Sequence, residues 1–176
     1  MAVQPRIRRC EPSDAAAIAR LMSPPEVFAN TLQLPYPGVE LWVERLTSNK
    51  PNEAPLVAEV DGQIVGCAGL HRETELRRAH SAQLGITVDQ AWQGKGIGRA
   101  LMTALLDTAD NWLGLLRIEL QVFADNARAI KLYESCGFVQ EAVMKGHGLR
   151  NGEYVDTLVM ARLHPKPPRL RPEIQP

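Results

Sequence analysis

The sequence predicts an α/β (α+β) domain of three layers: a mixed, mostly antiparallel twisted sheet of about six to seven strands, flanked by helices. Three observations predict it. Helical spacing dominates the chain up to Leu46, strand alternation takes over between Leu56 and Val88, and strands then alternate with helices. Two dipeptides, Asp61-Gly62 and Asn151-Gly152, sit between apolar runs where hairpins turn. A single apolar stripe, Leu101, Leu105, Ala109 and Trp112, marks one long helix after a glycine-rich loop.

Taken in order, Arg6–Arg9 reads as a short first strand. Ser13 or Asp14 offers a capping oxygen to a helix carrying Ala15, Ile18, Ala19 and Met22. Ser23-Pro24-Pro25 breaks that helix, and Pro25 suits the first turn of a second short one reaching Asn30. Gln33 to Gly38 is irregular, because Pro35 and Pro37 remove donors and impose turns. Leu41, Trp42, Arg45 and Leu46 suggest a third helix ending near Asn49-Lys50-Pro51. Leu56–Val60 and Gln63–Leu70 form a hairpin around Asp61-Gly62. His80–Val88 is a further strand with Leu84, Ile86 and Val88 on one side, and Gly85 within it suggests a bulge or a close backbone approach. The long helix starts at Ile97 and places Trp112 in the core. Arg117–Phe123 alternates as a strand, Asp125-Asn126 opens a helix through Tyr133, and Gly137 closes it. A last strand pair flanks Asn151-Gly152. The reading is one domain over residues 1–163 and a Pro-rich C-terminal tail, 164–176, with five prolines.

Composition narrows the function. The 176 residues carry 20 Lys plus Arg against 20 Asp plus Glu, so the electrostatic excess of a nucleic-acid binder is missing. No apolar run approaches the roughly 20 residues that span a bilayer, and no apolar stretch follows the basic residues near the start. Cys10, Cys67 and Cys136 are too scattered for a disulfide framework, and His71, His80, His147 and His164 show no metal-ligand pattern. The expectation is a cytoplasmic protein with no metal, no nucleic acid and no membrane partner.

The stretch Gln93-Gly94-Lys95-Gly96-Ile97-Gly98-Arg99 carries the chemistry. A strand runs into a loop of three alternating glycines, and the loop opens an amphipathic helix. Unpaired N–H groups and the macrodipole at a helix N-terminus attract an anion, and absent side chains let a phosphate come close. Lys95 and Arg99 add positive charge. The Walker pattern fails because Gly96 follows Lys95, and the dinucleotide fingerprint fails because Arg99 stands at its third glycine.

Gln93 to Gly98 resembles, residue for residue, the Gln/Arg-x-x-Gly-x-Gly/Ala acyl-CoA signature of the GNAT superfamily of N-acetyltransferases. Asn126 to Phe138 is similar to the family's second landmark, an Asn opening a helix that ends in Tyr-x-x-x-Gly-Phe. The resemblance covers roughly Arg6 to Leu163. It implies a GNAT-like fold, acetyl-CoA as co-substrate, and direct attack of a small-molecule amine on the thioester. It also implies site residues. The backbones of Ile86 and Val88 would meet the pantetheine amides. Gln93, Gly94, Lys95, Gly96, Ile97, Gly98 and Arg99 would cradle the pyrophosphate, and Asn126 would bond the cofactor arm. Tyr133 would protonate the departing thiolate, since a phenol keeps a proton at neutral pH. Many relatives carry an acidic residue where this chain has Gln83; with His80, Glu59, Glu73 or a water chain as alternatives, no base is assigned.

Substrate contacts in such enzymes come from the early helices and the last hairpin. Asn30, Thr31, Gln33 and Tyr36, with Gln83, are therefore the acceptor-side candidates. Clustered carboxylates, which a buried polyamine requires, are missing from this segment. Residues 25–33 and 149–156 are similar to bacterial members that acetylate free L-amino acids. A protein acetyltransferase and a non-catalytic acyl-CoA sensor are the alternatives. Family members of this size imply a homodimer.

Overall fold

The computed structural model describes residues 4–48 and 53–169. The predicted helix end at Asn49–Pro51 and the last part of the tail, residues 170–176, lie outside the described residues. Seven strands form one sheet in the order β1-β2-β3-β4-β5-β7-β6. They are β1 (Arg6–Arg9), β2 (Glu53–Val60), β3 (Gln63–Arg72), β4 (Ser81–Val88), β5 (Arg117–Phe123), β6 (Val139–Arg150) and β7 (Glu153–Leu163). Every neighbouring pair is antiparallel except β4 with β5. The helices are α1 (Ala15–Met22), α2 (Pro25–Phe28), α3 (Val39–Thr47), α4 (Ile97–Asp107) and α5 (Ala127–Glu134).

The turns are those the dipeptides demand. Asp61 and Gly62 have φ of 49° and 77°, and Asn151 and Gly152 of 52° and 83°, the left-handed pairs that match the twist of two-residue hairpins. Asp14 does not cap α1 with its side chain: its Oδ2 accepts the Glu11 N–H at 2.8 Å, closing the turn Pro12–Asp14 ahead of the helix, while Arg8 Nη1 donates to the same oxygen at 2.8 Å. That ion pair holds the Asp14 carboxyl below its usual range, through the Arg8 hydrogen bond first.

Two apolar layers sandwich the sheet. On one face α4 and α5 bury Ile97, Leu101, Met102, Leu105 and Tyr133 against Val65, Leu70, Ile118, Leu120 and Met160. On the other, Ile18, Met22 and Val27 of the first two helices meet Cys10, Val57 and Ile64, with Trp42 and Leu46 of α3 packed alongside. Gly66 lets α4 lie close to β3, since a Cβ there would stand 3.1 Å from Leu101 Cδ1.

Two further expectations are corrected. Trp112 is not in the core but 80% exposed. Residues Thr108–Trp112 form a π-helical turn in which the Leu113 N–H reaches the Thr108 carbonyl, and the wider turn rotates Trp112 off the stripe that Ala109 still occupies. Gly85 makes no bulge either: it pairs with Gly69 in unbroken register, and a Cβ added there would meet nothing within 4 Å.

Candidate active site

The site begins where two strands part. β5 pairs with β4 only at Ser81, Ala82 and Gln83. The Asp89 N–H donates to the Val65 carbonyl and Thr87 pairs with Cys67 across β3. By antiparallel alternation, the backbone polar groups of Ile86 and Val88 therefore turn away from β3, into the gap. The only side-chain hydrogen bond to them among the described residues is from Gln93 Nε2 to the Val88 carbonyl, 3.1 Å.

At the open end of β4 lies the glycine loop. Gly94 and Gly96 adopt φ of 75° and 90°, and a Cβ on either would meet open space, so their role is backbone conformation. Gly96 is the N-cap of α4. Gly98 serves packing instead: a Cβ there would stand 3.1 Å from Leu132 Cδ2 of α5. Ile97 is buried, so only its backbone faces the loop. Lys95 Nζ lies over the Trp92 ring, 4.8 Å from its centroid, and Arg99 Nη2 donates to Ser135 Oγ at 2.7 Å. Gln93 Oε1 accepts from Arg128, a cation at the loop that the sequence reading missed because it stands one turn into a different helix. A loop of positive-φ glycines, a helix N-terminus and three cations suits the phosphates of a coenzyme A thioester, and the unpaired β4 edge suits an extended amide-bearing arm.

Across the gap, a cavity of about 230 Å³ is lined by Asn30, Thr31, Leu32, Gln83, Leu84, Gln121, Val122, Phe123 and Thr157. Three of the predicted acceptor-side residues, Asn30, Thr31 and Gln83, come together there. Gln33 does not line it; its Oε1 accepts from Arg45 Nη1 at 3.4 Å. Tyr36 points to solvent, 96% exposed, since the Pro35–Pro37 turn gives it a φ of 60°. Asn126 caps α5 by accepting the Ala129 N–H, and its Nδ2 stands 3.4 Å from Asn30 Oδ1, joining the cofactor side to the acceptor side. Of the candidate bases, Glu59 is tied to Arg8 beside β1 and His80 is exposed, whereas Glu73 lies 3.3 Å from Gln83 Nε2.

Three further residues escaped the sequence reading. Thr157 of β7 pairs with Phe123, is 3% exposed, and has a hydroxyl with no hydrogen-bond partner among the described residues. Glu119 accepts from Gln83 Nε2 at 2.9 Å. Gly148 stands so close to Phe123 that a Cβ would lie 2.7 Å from the ring. Tyr133 is not among the cavity's lining residues; it shares the apolar cluster with Leu84 and Val122, its ring 6.0 Å from that of Phe138. Its hydroxyl bonds none of the described residues, and burial pushes its pKa up to about 12. Burial likewise pushes the Cys10 and Cys67 thiols to about 12, which keeps both in the unreactive thiol form.

Residues 17–138 match the Acetyltransferase (GNAT) family. The chain is 46% identical over 157 residues to the L-amino acid N-acetyltransferase AaaT of Escherichia coli K12, covering 89% of this chain and 96% of that protein. It is 29% identical over 161 residues to the spermidine N(1)-acetyltransferase of Vibrio cholerae, covering 91% and 93%. The crystal structure of spermidine N-acetyltransferase from Vibrio cholerae in complex with CoA and spermine superimposes with a TM-score of 0.79 over 92% of this chain and 96% of that one, at 29% identity. The fold is that of the superposed acetyltransferase, and the chain belongs to the GNAT family of acetyl-CoA-dependent N-acetyltransferases.

Proposed function

We propose that the acceptor is the α-amine of a free L-amino acid with a compact, uncharged side chain. One observation carries this reading: among the described residues, none that lines the cavity bears a charge. A polyamine would bring several ammonium groups into that space, and burying them without carboxylates is costly. A single amine entering in its neutral form needs only hydrogen bonds, which Asn30, Thr31, Gln83, Gln121 and Thr157 can supply. The 46% identity with a protein named for L-amino acids supports the same choice.

In this proposal acetyl-CoA supplies the thioester. The amine nitrogen bonds to the acetyl carbon, the carbon–sulfur bond breaks, the nitrogen loses a proton to solvent, and the sulfur gains one. The glycine loop, Lys95, Arg99 and Arg128 bind the phosphates; Ile86 and Val88 hold the pantetheine arm through their backbones, with Asn126 beside it. Tyr133 is the proton donor to sulfur. Its raised pKa keeps the phenol protonated across the working pH range, so it sets no alkaline limit below about pH 10. The Val88 N–H is the donor to the developing oxyanion. The enzyme acts in the cytoplasm as a homodimer, and β6, an edge strand with exposed Val139, Val143 and Leu149, offers the surface for that contact.

The test is thiol release from acetyl-CoA between pH 7 and 8.5 across free L-amino acids, polyamines and short peptides. Release with amino acids of one side-chain class is the expected result. Turnover of spermidine or peptides alone would overturn the acceptor assignment. Light scattering on the eluting protein reads the oligomer.

A further inference from the structure

Gln83 stands on the one stretch of β4 that still pairs with β5, and its partner in the register is Glu119. Parallel partners project to the same face, so the two side chains meet. A glutamine amide has two N–H donors on nitrogen and an acceptor oxygen. Here the nitrogen faces carboxylates on both sides, Glu119 Oε2 at 2.9 Å and Glu73 Oε1 at 3.3 Å. Turned the other way, the amide would set its own oxygen against two negative groups. The orientation is therefore fixed by charge, and what Gln83 has left to give a molecule in the cavity is Oε1.

Glu119 is itself held in place. Its Oε1 accepts from Arg117 Nε at 2.6 Å and from Arg78 Nη2 at 3.1 Å, and Arg117 Nη1 is anchored on Glu141 Oε1 at 3.0 Å. Burial works to raise the Glu119 pKa, but the hydrogen bonds from Arg117 and Gln83 and the charges of Arg117 and Arg78 together outweigh it and leave the carboxyl below its usual range. A carboxylate so firmly ionised is a poor proton acceptor and a good fixed hydrogen-bond acceptor.

We propose that Glu119 is a positioning residue for the acceptor amine: clamped by Arg117 and Arg78, it takes an N–H of Gln83 and so presents Gln83 Oε1 to the cavity as the acceptor of an amine N–H. A neutral amine has two N–H groups and one lone pair. Binding it through an N–H leaves the lone pair free to attack, the orientation that acetyl transfer needs. The inference rests on the cavity being the acceptor pocket, and it extends that reading by giving a role to the glutamine that stands where many relatives carry an acid.

The experiment is a double-mutant cycle on kcat/KM for whichever amine the panel selects, so that a change of acceptor class does not decide its outcome. Glu119→Gln leaves only the longer Glu73 contact to hold the Gln83 amide and is expected to lower kcat/KM for the amine about tenfold, with acetyl-CoA Kd unchanged. Gln83→Met is expected to cost the same, and Glu119→Gln in the Gln83→Met background is expected to cost nothing more. A purely structural Glu119 would lower activity regardless of residue 83, so losses that multiply would overturn the proposal. So would a Glu119→Gln enzyme with normal kcat/KM. The pH profiles of the parent and Glu119→Gln enzymes should run parallel. Disappearance of an acid-side ionisation in the variant would make Glu119 the base and sink the positioning role.

Discussion

The two banks of the gap between β4 and β5 are built on different principles. The glycine-loop bank is made by backbone: Gly94 and Gly96 supply left-handed turns, Gly98 admits Leu132, and Ile86 and Val88 turn their own peptide groups into the opening. The acceptor bank is made by single side chains lent from distant places, Asn30 and Thr31 from the loop after α2, Gln121 and Phe123 from β5, Thr157 from β7. A backbone site needs particular residues at particular neighbouring positions. A side-chain site needs only a surface of suitable polarity, and many sequences can provide one.

The difference can be broken in order of severity. Gly96→Asp attacks the backbone bank directly, adding a Cβ at φ 90° and a negative charge at the phosphate cradle. It should weaken acetyl-CoA at least about a hundredfold by calorimetry, and a normal Kd would remove the loop from the binding site. Tyr133→Phe keeps the ring and removes the proton; kcat should fall at least about tenfold with acetyl-CoA affinity held. Unchanged turnover would leave Tyr133 a packing residue.

Smaller effects probe the acceptor bank. Gly148→Ala drives a methyl group into the ring of Phe123, which lines the cavity. The amine KM should rise by about three- to tenfold while acetyl-CoA Kd holds, since overpacking reshapes one pocket only. Equal KM values would mean that the ring yields elsewhere. Smallest is Thr157→Val. The hydroxyl has no partner among the described residues, so its loss should leave Tm equal or higher, whereas amine KM should rise about threefold if the hydroxyl bonds the substrate. A lowered Tm would show that the hydroxyl is satisfied in the folded chain.

Legibility followed the same division. The two hairpin turns, the strand before the loop and the capped helix after β5 could be read from sequence because each depends on adjacent residues with strong conformational preferences. Asn126, for one, caps α5 as its position implied. The π turn at Thr108–Trp112 could not, because the apolar spacing there fits an ordinary helix and only the packed structure reveals the extra residue in the turn. On the acceptor side, Asn30, Thr31 and Gln83 were found through their elements, but Thr157, Gln121 and Glu119 have no local signature. They matter through strand neighbours 30 or more positions away along the chain. Gln33 and Tyr36 follow Asn30 in sequence without sharing its cavity: the Gln33 side chain turns to Arg45, and the Pro35–Pro37 turn sends Tyr36 into solvent.

The parting of β4 from β5 has a thermodynamic consequence. A sheet interior that parts two strands is incomplete, and in the proposed function the thioester's amide-bearing arm would stand where the missing strand would pair. Binding only the folded chain, acetyl-CoA at a hundredfold excess over its Kd would add about 2.7 kcal/mol to the folding free energy. The amides of Ile86 and Val88 should then exchange with deuterium more slowly than in the free protein. By the same linkage, the folding stability of the chain would rise and fall with the concentration of acetyl-CoA.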